Sequence, residues 1–218
     1  MTDRGTLIVT GAAAGIGRAI ACALAADWPR IALVDLDAAR LDDSLAAVRA
    51  AGAEVAAFGA DLAQADAADS VVDAVRRRFG PIGGLINNAG IFRTPDPITQ
   101  NGLDVRFVVN TLAPYLLTQR LLPLLGTTGR VVNLSSAAQA PVEPDALAGR
   151  VRLSEDFKAY AQSKLALTMW SRSMALSLKD KGPVIVAVNP GSMLGSRMVT
   201  EGFGVAGADI GIGADILT

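Results

Sequence analysis

Tyr160 and Lys164 stand four residues apart in the run Tyr160-Ala161-Gln162-Ser163-Lys164. On a helix that spacing places both on one face, a turn apart. A free phenol titrates near pH 10, and bringing it to neutrality takes roughly 4 kcal/mol of preferential stabilisation of the phenolate. An ammonium about 4–5 Å away, at an effective dielectric near 20, supplies about that much. Tyr160 could then take a proton from an alcohol or give one to a carbonyl. The other tyrosine, Tyr115, has Gln119 at the matching position and lacks such a partner.

The chain contains no histidine. Ser-His-Asp hydrolysis, an imidazole base and the usual zinc sites are therefore excluded, and no metal site is expected. Proton chemistry must rest on Tyr, Lys, Asp or Glu. The one cysteine, Cys22, lies in an apolar helical stretch and reads as a packed thiol, compatible with a reducing cytoplasm.

A second constellation lies near the start. The apolar run Leu7-Ile8-Val9 leads into Thr10-Gly11-Ala12-Ala13-Ala14-Gly15-Ile16-Gly17, which opens a stretch with helical spacing. A buried strand, a glycine-rich turn and a helix N-terminus together make a pyrophosphate cradle, because backbone N–H groups and the helix dipole both favour negative charge there. Gly11 allows the sharp turn, while Gly15 and Gly17 let backbone and ligand approach without a Cβ between them. A second apolar run, Ile31–Val34, ends at Asp35, eighteen positions after Gly17. An acid at that distance can accept hydrogen bonds from a ribose and repel a 2′-phosphate, and Ala14 offers no basic group to offset the repulsion. The reading is a dinucleotide site with NAD preferred over NADP.

Further along, Asp61-Leu62 closes a third apolar run, Asn87-Asn88-Ala89-Gly90 a fourth, and Ser135-Ser136 follows Val131-Val132-Asn133-Leu134. Asn110 sits inside a long helical pattern, and Asn189-Pro190-Gly191 ends a sixth strand-like run. In type and order these motifs resemble the short-chain dehydrogenase/reductase family over nearly the whole chain. The resemblance implies a catalytic set of Asn110, Ser136, Tyr160 and Lys164. Ser136 would donate to the substrate oxygen as charge develops there. Lys164 would also hold the nicotinamide ribose, and Asn110 would help to bind a water relaying protons to Lys164. The resemblance further implies a cofactor-binding set of Gly11, Ala14, Gly15, Ile16, Gly17, Asp35, Asp61, Leu62, Asn88, Ala89, Gly90, Tyr160, Lys164, Pro190 and Gly191. Asp61 and Leu62 would meet the adenine, Asn88 to Gly90 would wall the adenosine ribose, and Pro190-Gly191 would flank the nicotinamide. The family often has a carboxamide-binding threonine a few residues later, where this chain has Gly195 followed by Ser196.

Two further departures stand out. The gap from Ser136 to Tyr160 is longer than in most members and holds Pro141-Val142-Glu143-Pro144 and a charged stretch at 150–156, resembling members related to retinol dehydrogenases. After Pro190-Gly191 the family supplies a substrate-covering segment, another helix and a seventh strand. Here Gly213-Ala214-Asp215-Ile216-Leu217 resembles the start of that helix, so the seventh strand is expected to be missing and the run at 184–189 to form an edge.

The elements that must position these residues follow from the hydropathy pattern. Strand-like runs recur at 6–10, 31–35, 53–60, 83–88, 129–135 and 184–189, with helical patterns near 15–26, 38–51, 64–79, 98–124 and 155–180. Strict alternation implies right-handed βαβ units and a doubly wound, Rossmann-like parallel sheet in a three-layer α/β/α arrangement. The strands read as continuous apolar runs, as expected where both faces are covered. Ligands of such sheets bind beyond the strand C-termini, where Gly11, Asp35, Asp61, Asn88, Ser136 and Pro190 all fall. With 218 residues and no linker or repeat, one domain over 1–218 is expected.

Composition narrows the partners. A 51% apolar content and a net charge of −1 describe a globular protein without the basic stripe that nucleic acid requires. No run of 18 apolar residues is present, and Asp3-Arg4 leads directly into the first strand, so neither a membrane span nor a cleaved signal is expected and a cytoplasmic location is read. The expected activity is hydride transfer between NAD and a small alcohol or carbonyl compound. The alternatives are an NAD-binding protein without turnover and, more weakly, a sugar-nucleotide epimerase. Phe107, Leu112, Tyr115, Leu116, Leu165, Leu167, Met169, Trp170 and Met174 exceed what one sheet face needs. The family resemblance implies a homodimer through the helices at 98–124 and 155–180.

Overall fold

The computed structural model describes residues 4–192 and 194–216. Asp3 and Leu217, named above, lie outside the described residues. Six parallel strands form the sheet among those described: β1 (Thr6–Thr10), β2 (Arg30–Asp35), β3 (Glu54–Gly59), β4 (Ile82–Asn87), β5 (Arg130–Leu134) and β6 (Val184–Val188), in the order β3-β2-β1-β4-β5-β6. The order reverses between β1 and β4, which opens a crevice beyond their carboxyl ends. β1 is buried along its whole length, as a central strand covered on both faces must be.

Helices cover both faces. On one side Ile20 and Ala21 of α1 (Gly15–Ala23), Val48 of α2 (Asp42–Ala50) and Ala214 of α9 (Gly211–Asp215) join Leu7, Val9, Ile31 and Leu33 in one core. On the other, Val71, Val72 and Val75 of α3 (Ala67–Phe79) and Leu117 and Leu121 of α5 (Ala113–Leu125) meet Ile8, Leu85 and Val131. The long helix α7 (Asp156–Leu178) packs beside β5 and β6 on that second face. Ala214 shows that α9 is anchored to the sheet. β6 is an edge of the described sheet, with Val184 and Val186 exposed.

The helical pattern at 98–124 divides differently from its periodicity. Residues 98–104 close a loop instead, in which Thr99 N donates to Leu103 O at 2.8 Å and Gly102 takes φ +80°. Asp104 then caps α4 (Val105–Phe107) by accepting from Arg106 N at 2.9 Å. A π turn at Val108–Leu112 follows before α5 resumes. Hydrophobic spacing cannot detect one additional residue in a turn, since the apolar face is merely shifted. The segment between Ser136 and Tyr160 contributes a short α6 (Pro144–Leu147), and α8 (Arg197–Phe203) follows β6. No described helix is long and apolar enough to cross a membrane.

Candidate active site

The crevice beyond the strand ends is a cavity of about 470 Å³. One end is the glycine-rich turn. Gly11 and Gly15 adopt φ of +65° and +58°, the left-handed region that an L side chain resists. A Cβ on Gly17 would stand 2.2 Å from the Gly11 carbonyl oxygen, so the third glycine is required by turn and helix packing. Gly15 is different. A Cβ there would approach nothing nearer than the Ser196 Cβ at 3.9 Å, which leaves the space above the turn open. α1 starts at Gly15 without a side-chain cap on its first amides. Left-handed glycines, uncapped amides and open space fit a pyrophosphate.

The turn is held from three directions. Asn88 donates through Nδ2 to the carbonyls of Thr10 and Gly11, both at 2.9 Å. The Thr10 hydroxyl accepts from the amides of Asn88 and Ala89 at 3.1 Å. Ser44, fully buried on α2, donates to the carbonyls of Ala12 and Ala13 at 2.8 and 3.1 Å. Asp35 closes the set, its carboxylate accepting from Ala13 N and Leu36 N, each at 2.9 Å. Ser44 carries no motif and was not legible as part of the site. The role of Thr10 could have been sought from its place between strand and turn.

Gly11, Ala14, Gly15, Ile16, Asp35, Asp61, Leu62, Asn88, Ala89, Gly90, Tyr160, Lys164 and Pro190 all line this cavity. Gly17 and Asn110 lie buried behind it, and Gly191 takes φ +126° just past Pro190. Ser196, beside Gly195, reaches the lining. Gly195 is fixed by its own backbone, donating to Ala208 O at 2.7 Å. Arg40 lines the same end as Asp35, a cation that the sequence reading did not weigh.

At the other end stand the proton-bearing groups. Lys164 is buried, donates through Nζ to Leu134 O at 2.7 Å, and lies 5.8 Å from the centre of the Tyr160 ring. Burial lowers its pKa to about 8. The Tyr160 phenol is pushed up by burial, and the neighbouring Ser136 hydroxyl pulls it partly back. This corrects the sequence expectation of a phenol lowered by its lysine. Spacing reports the nearby charge but says nothing of the desolvation that opposes it. Ser135 lines the cavity and its hydroxyl meets Thr168 at 2.6 Å, whereas Ser136 is not among the lining residues. Ser136 faces Tyr160 and accepts from Ala138 N at 3.1 Å.

Asn110 falls in the π turn, and its side chain is fully engaged. Its Oδ1 accepts from Ile91 N at 2.7 Å, while Nδ2 donates to Ile91 O and to the Ser163 hydroxyl, both at 2.9 Å. The side chain thus clamps the loop after β4 onto α7. A Cβ on Gly90 would lie 3.4 Å from Asn110 Oδ1 and 3.6 Å from Lys164 Nζ, so these three sites share one small space.

Comparison with known proteins matches the arrangement. A model of the short chain dehydrogenase family covers residues 5–203. The chain belongs to that family. Human retinol dehydrogenase 13 is 32% identical over 192 residues, which is 85% of this chain and 58% of the human protein. The chain spans about three fifths of the length of such curated short chain dehydrogenases. A short chain dehydrogenase of Burkholderia cenocepacia, solved in complex with NADP, superimposes with a TM-score of 0.77 at 30% identity, covering 99% of this chain and 89% of that one. A xylitol dehydrogenase bound to NAD+ gives a TM-score of 0.71 at 27% identity, covering 92% and 75%. The fold found here is that of these short chain dehydrogenases.

Proposed function

We propose that this short chain dehydrogenase is an oxidoreductase that moves a hydride between NAD and a small alcohol or carbonyl compound, within one domain. The observation that carries the reading is that a single cavity joins the glycine turn and Asp35 to Tyr160 and Lys164, with Ser136 beside the tyrosine. Glycines at 11, 15 and 17 would receive the pyrophosphate, Asp35 the adenosine ribose, and Asp61, Leu62 and the Asn88–Gly90 wall the adenosine. Lys164 would hold the nicotinamide ribose, and Pro190 with Gly191 the ring. The nicotinamide, when bound, supplies the hydride acceptor or donor.

Tyr160 is the general acid/base. Its hydroxyl gives or takes the proton of the substrate oxygen, and Ser136 donates a hydrogen bond that strengthens as negative charge grows there. Lys164, close beneath the ring, stabilises the phenolate as it forms. A binding protein without turnover is the weaker reading, because binding alone would not require Ser136 against Tyr160 or a lysine buried beneath it. Protein incubated with NAD and a panel of alcohols, followed at the NADH absorbance, tests the proposal. Absence of turnover across the panel, with NAD bound, would reject it.

The same reading includes a homodimer through α5 and α7. Leu116 and Met169 are exposed, and Tyr115 and Trp170 stack edge-on at 5.5 Å between the two helices. Phe107 and Leu167 are wholly buried and belong to the core.

A further inference from the structure

Arg106 is among the most deeply buried side chains of the protein, at 1% exposure, and nothing in the chemistry above uses it. Its guanidinium binds two carboxylates. Nε and one terminal nitrogen hold Asp104, the cap of α4, at 2.9 and 2.6 Å. The other terminal nitrogen reaches Asp156, the first residue of α7, at 2.6 Å. Arg106 lies one helical turn before Asn110, and Asp156 one turn before Tyr160. The pair therefore joins the two helical segments that carry the proton chemistry, one turn outside the Asn110–Ser163 and Thr111–Ser163 bonds that join them again.

Asp156 also reaches a residue of the cavity wall, Arg93. Its second oxygen lies 3.9 Å from Arg93 Nε, and the Arg93 guanidinium sits 5.4 Å over the Phe92 ring. Phe92 in turn meets Tyr160 edge-on at 5.3 Å and Phe157 at 6.5 Å. A buried cation, a half-exposed carboxylate and a cavity-lining cation thus form a chain ending on the ring of Tyr160. A bidentate guanidinium fixes direction as well as distance, which a packed apolar contact would not.

We propose that Arg106, acting through Asp156, is a positioning residue for Tyr160: the pair sets the first turn of α7 and, with Arg93 and Phe92, the orientation of the phenol towards the substrate. This rests on Tyr160 being the acid/base. The charged groups around Tyr160 are Lys164 a turn onward, Arg93 behind Phe92 and Glu201 of α8 on the same cavity, with Asp156, a turn back, paired to Arg93. Removing the Asp156 charge leaves Arg106 and Arg93 less neutralised, which favours the phenolate, and a loosened first turn admits water with the same sign.

The test is Asp156→Asn, a half-exposed and nearly isosteric change. Only two tyrosines exist, so subtracting Tyr160→Phe isolates the Tyr160 ionisation in a tyrosinate absorbance titration. The expected result is a midpoint lower by ~0.5 pH units or more. Turnover should fall about tenfold, with NAD affinity within about twofold of wild type; such a drop is a modest part of what a well-placed acid/base contributes. Asp156→Glu, restoring the charge, should recover the midpoint and part of the turnover. Asp69→Asn, which breaks the exposed pair with Arg120 at 2.7 Å, is the control and should move neither. An unchanged midpoint and turnover in Asp156→Asn would overturn the proposal. If wild-type protein turns over no alcohol, the functional reading fails, while the titration still decides whether Asp156 governs Tyr160.

Discussion

The ammonium of Lys164 donates to the carbonyl of Leu134, 2.7 Å away, at the last residue of β5. One bond thus ties the helix bearing Tyr160 to the strand end that presents Ser136. The two groups that would share the substrate oxygen come from segments 24 residues apart, and their relative height is set by a buried lysine.

Replacing Tyr160 by Phe removes the hydroxyl but leaves the turn, Asp35 and Lys164 in place. Turnover should fall at least a hundredfold, the low end of what a positioned acid/base supplies, with NAD affinity little changed. Steady-state rates with a calorimetric titration of NAD check both halves. Retention of more than about a hundredth of the rate would remove Tyr160 from the chemistry.

Asp35→Ala should weaken NAD and strengthen NADP. The carboxylate accepts from Ala13 N and Leu36 N, so it both steadies the turn and presents negative charge to the ribose. With it gone, Arg40 on the same cavity wall is left to face a 2′-phosphate. Fluorescence titration of both cofactors measures the ratio; tighter NADP than NAD in the wild type would contradict the preference.

Lys164 makes stability depend on pH in a defined direction. Its folded pKa of about 8 lies below that of a free lysine, so between these limits the unfolded chain binds more protons than the folded one. Folding stability from this group therefore rises as pH rises through 8, and the penalty for burying the cation is fully present below it. Urea unfolding should gain about 1–2 kcal/mol between roughly pH 8 and 9.5, and Lys164→Met should lose that gain. A flat wild-type profile over this range would place the lysine in a wetter environment.

The dimer can be checked without any substrate. Light scattering at micromolar concentration should give twice the chain mass, and Met169→Asp should shift it towards monomer, since Met169 is exposed on α7 at 57%. A stable wild-type monomer, or a dimer burying β6, would refute this assembly.

The parts of the site legible in the sequence are those whose chemistry constrains neighbouring residues. A strand, three glycines, a helix start and an acid near the next strand end leave few alternatives, and the structure gathers all of them around one cavity. Contacts between distant residues left no such trace. Ser44 reads as an ordinary helix serine until α2 brings it beneath the turn. Arg106 and Asp156 are fifty positions apart, and each alone reads as a solvated charge. Asn110 was found by resemblance, but its clamp on Ile91 and the π turn that aims it escape any count of apolar periodicity. The desolvation that raises the Tyr160 phenol is likewise invisible in the sequence, because burial depends on the packed neighbours.

The glycine turn meets its ligand already frozen. Ordering one loop residue costs about 1–2 kcal/mol, and a floppy turn would levy that cost on each binding event. Here Asn88, Thr10, Ser44 and Asp35 have settled it during folding. Cofactor association should therefore proceed in a single diffusional phase without a slow rearrangement after encounter, and the lifetime of the complex, rather than its rate of formation, should set how quickly spent cofactor is exchanged.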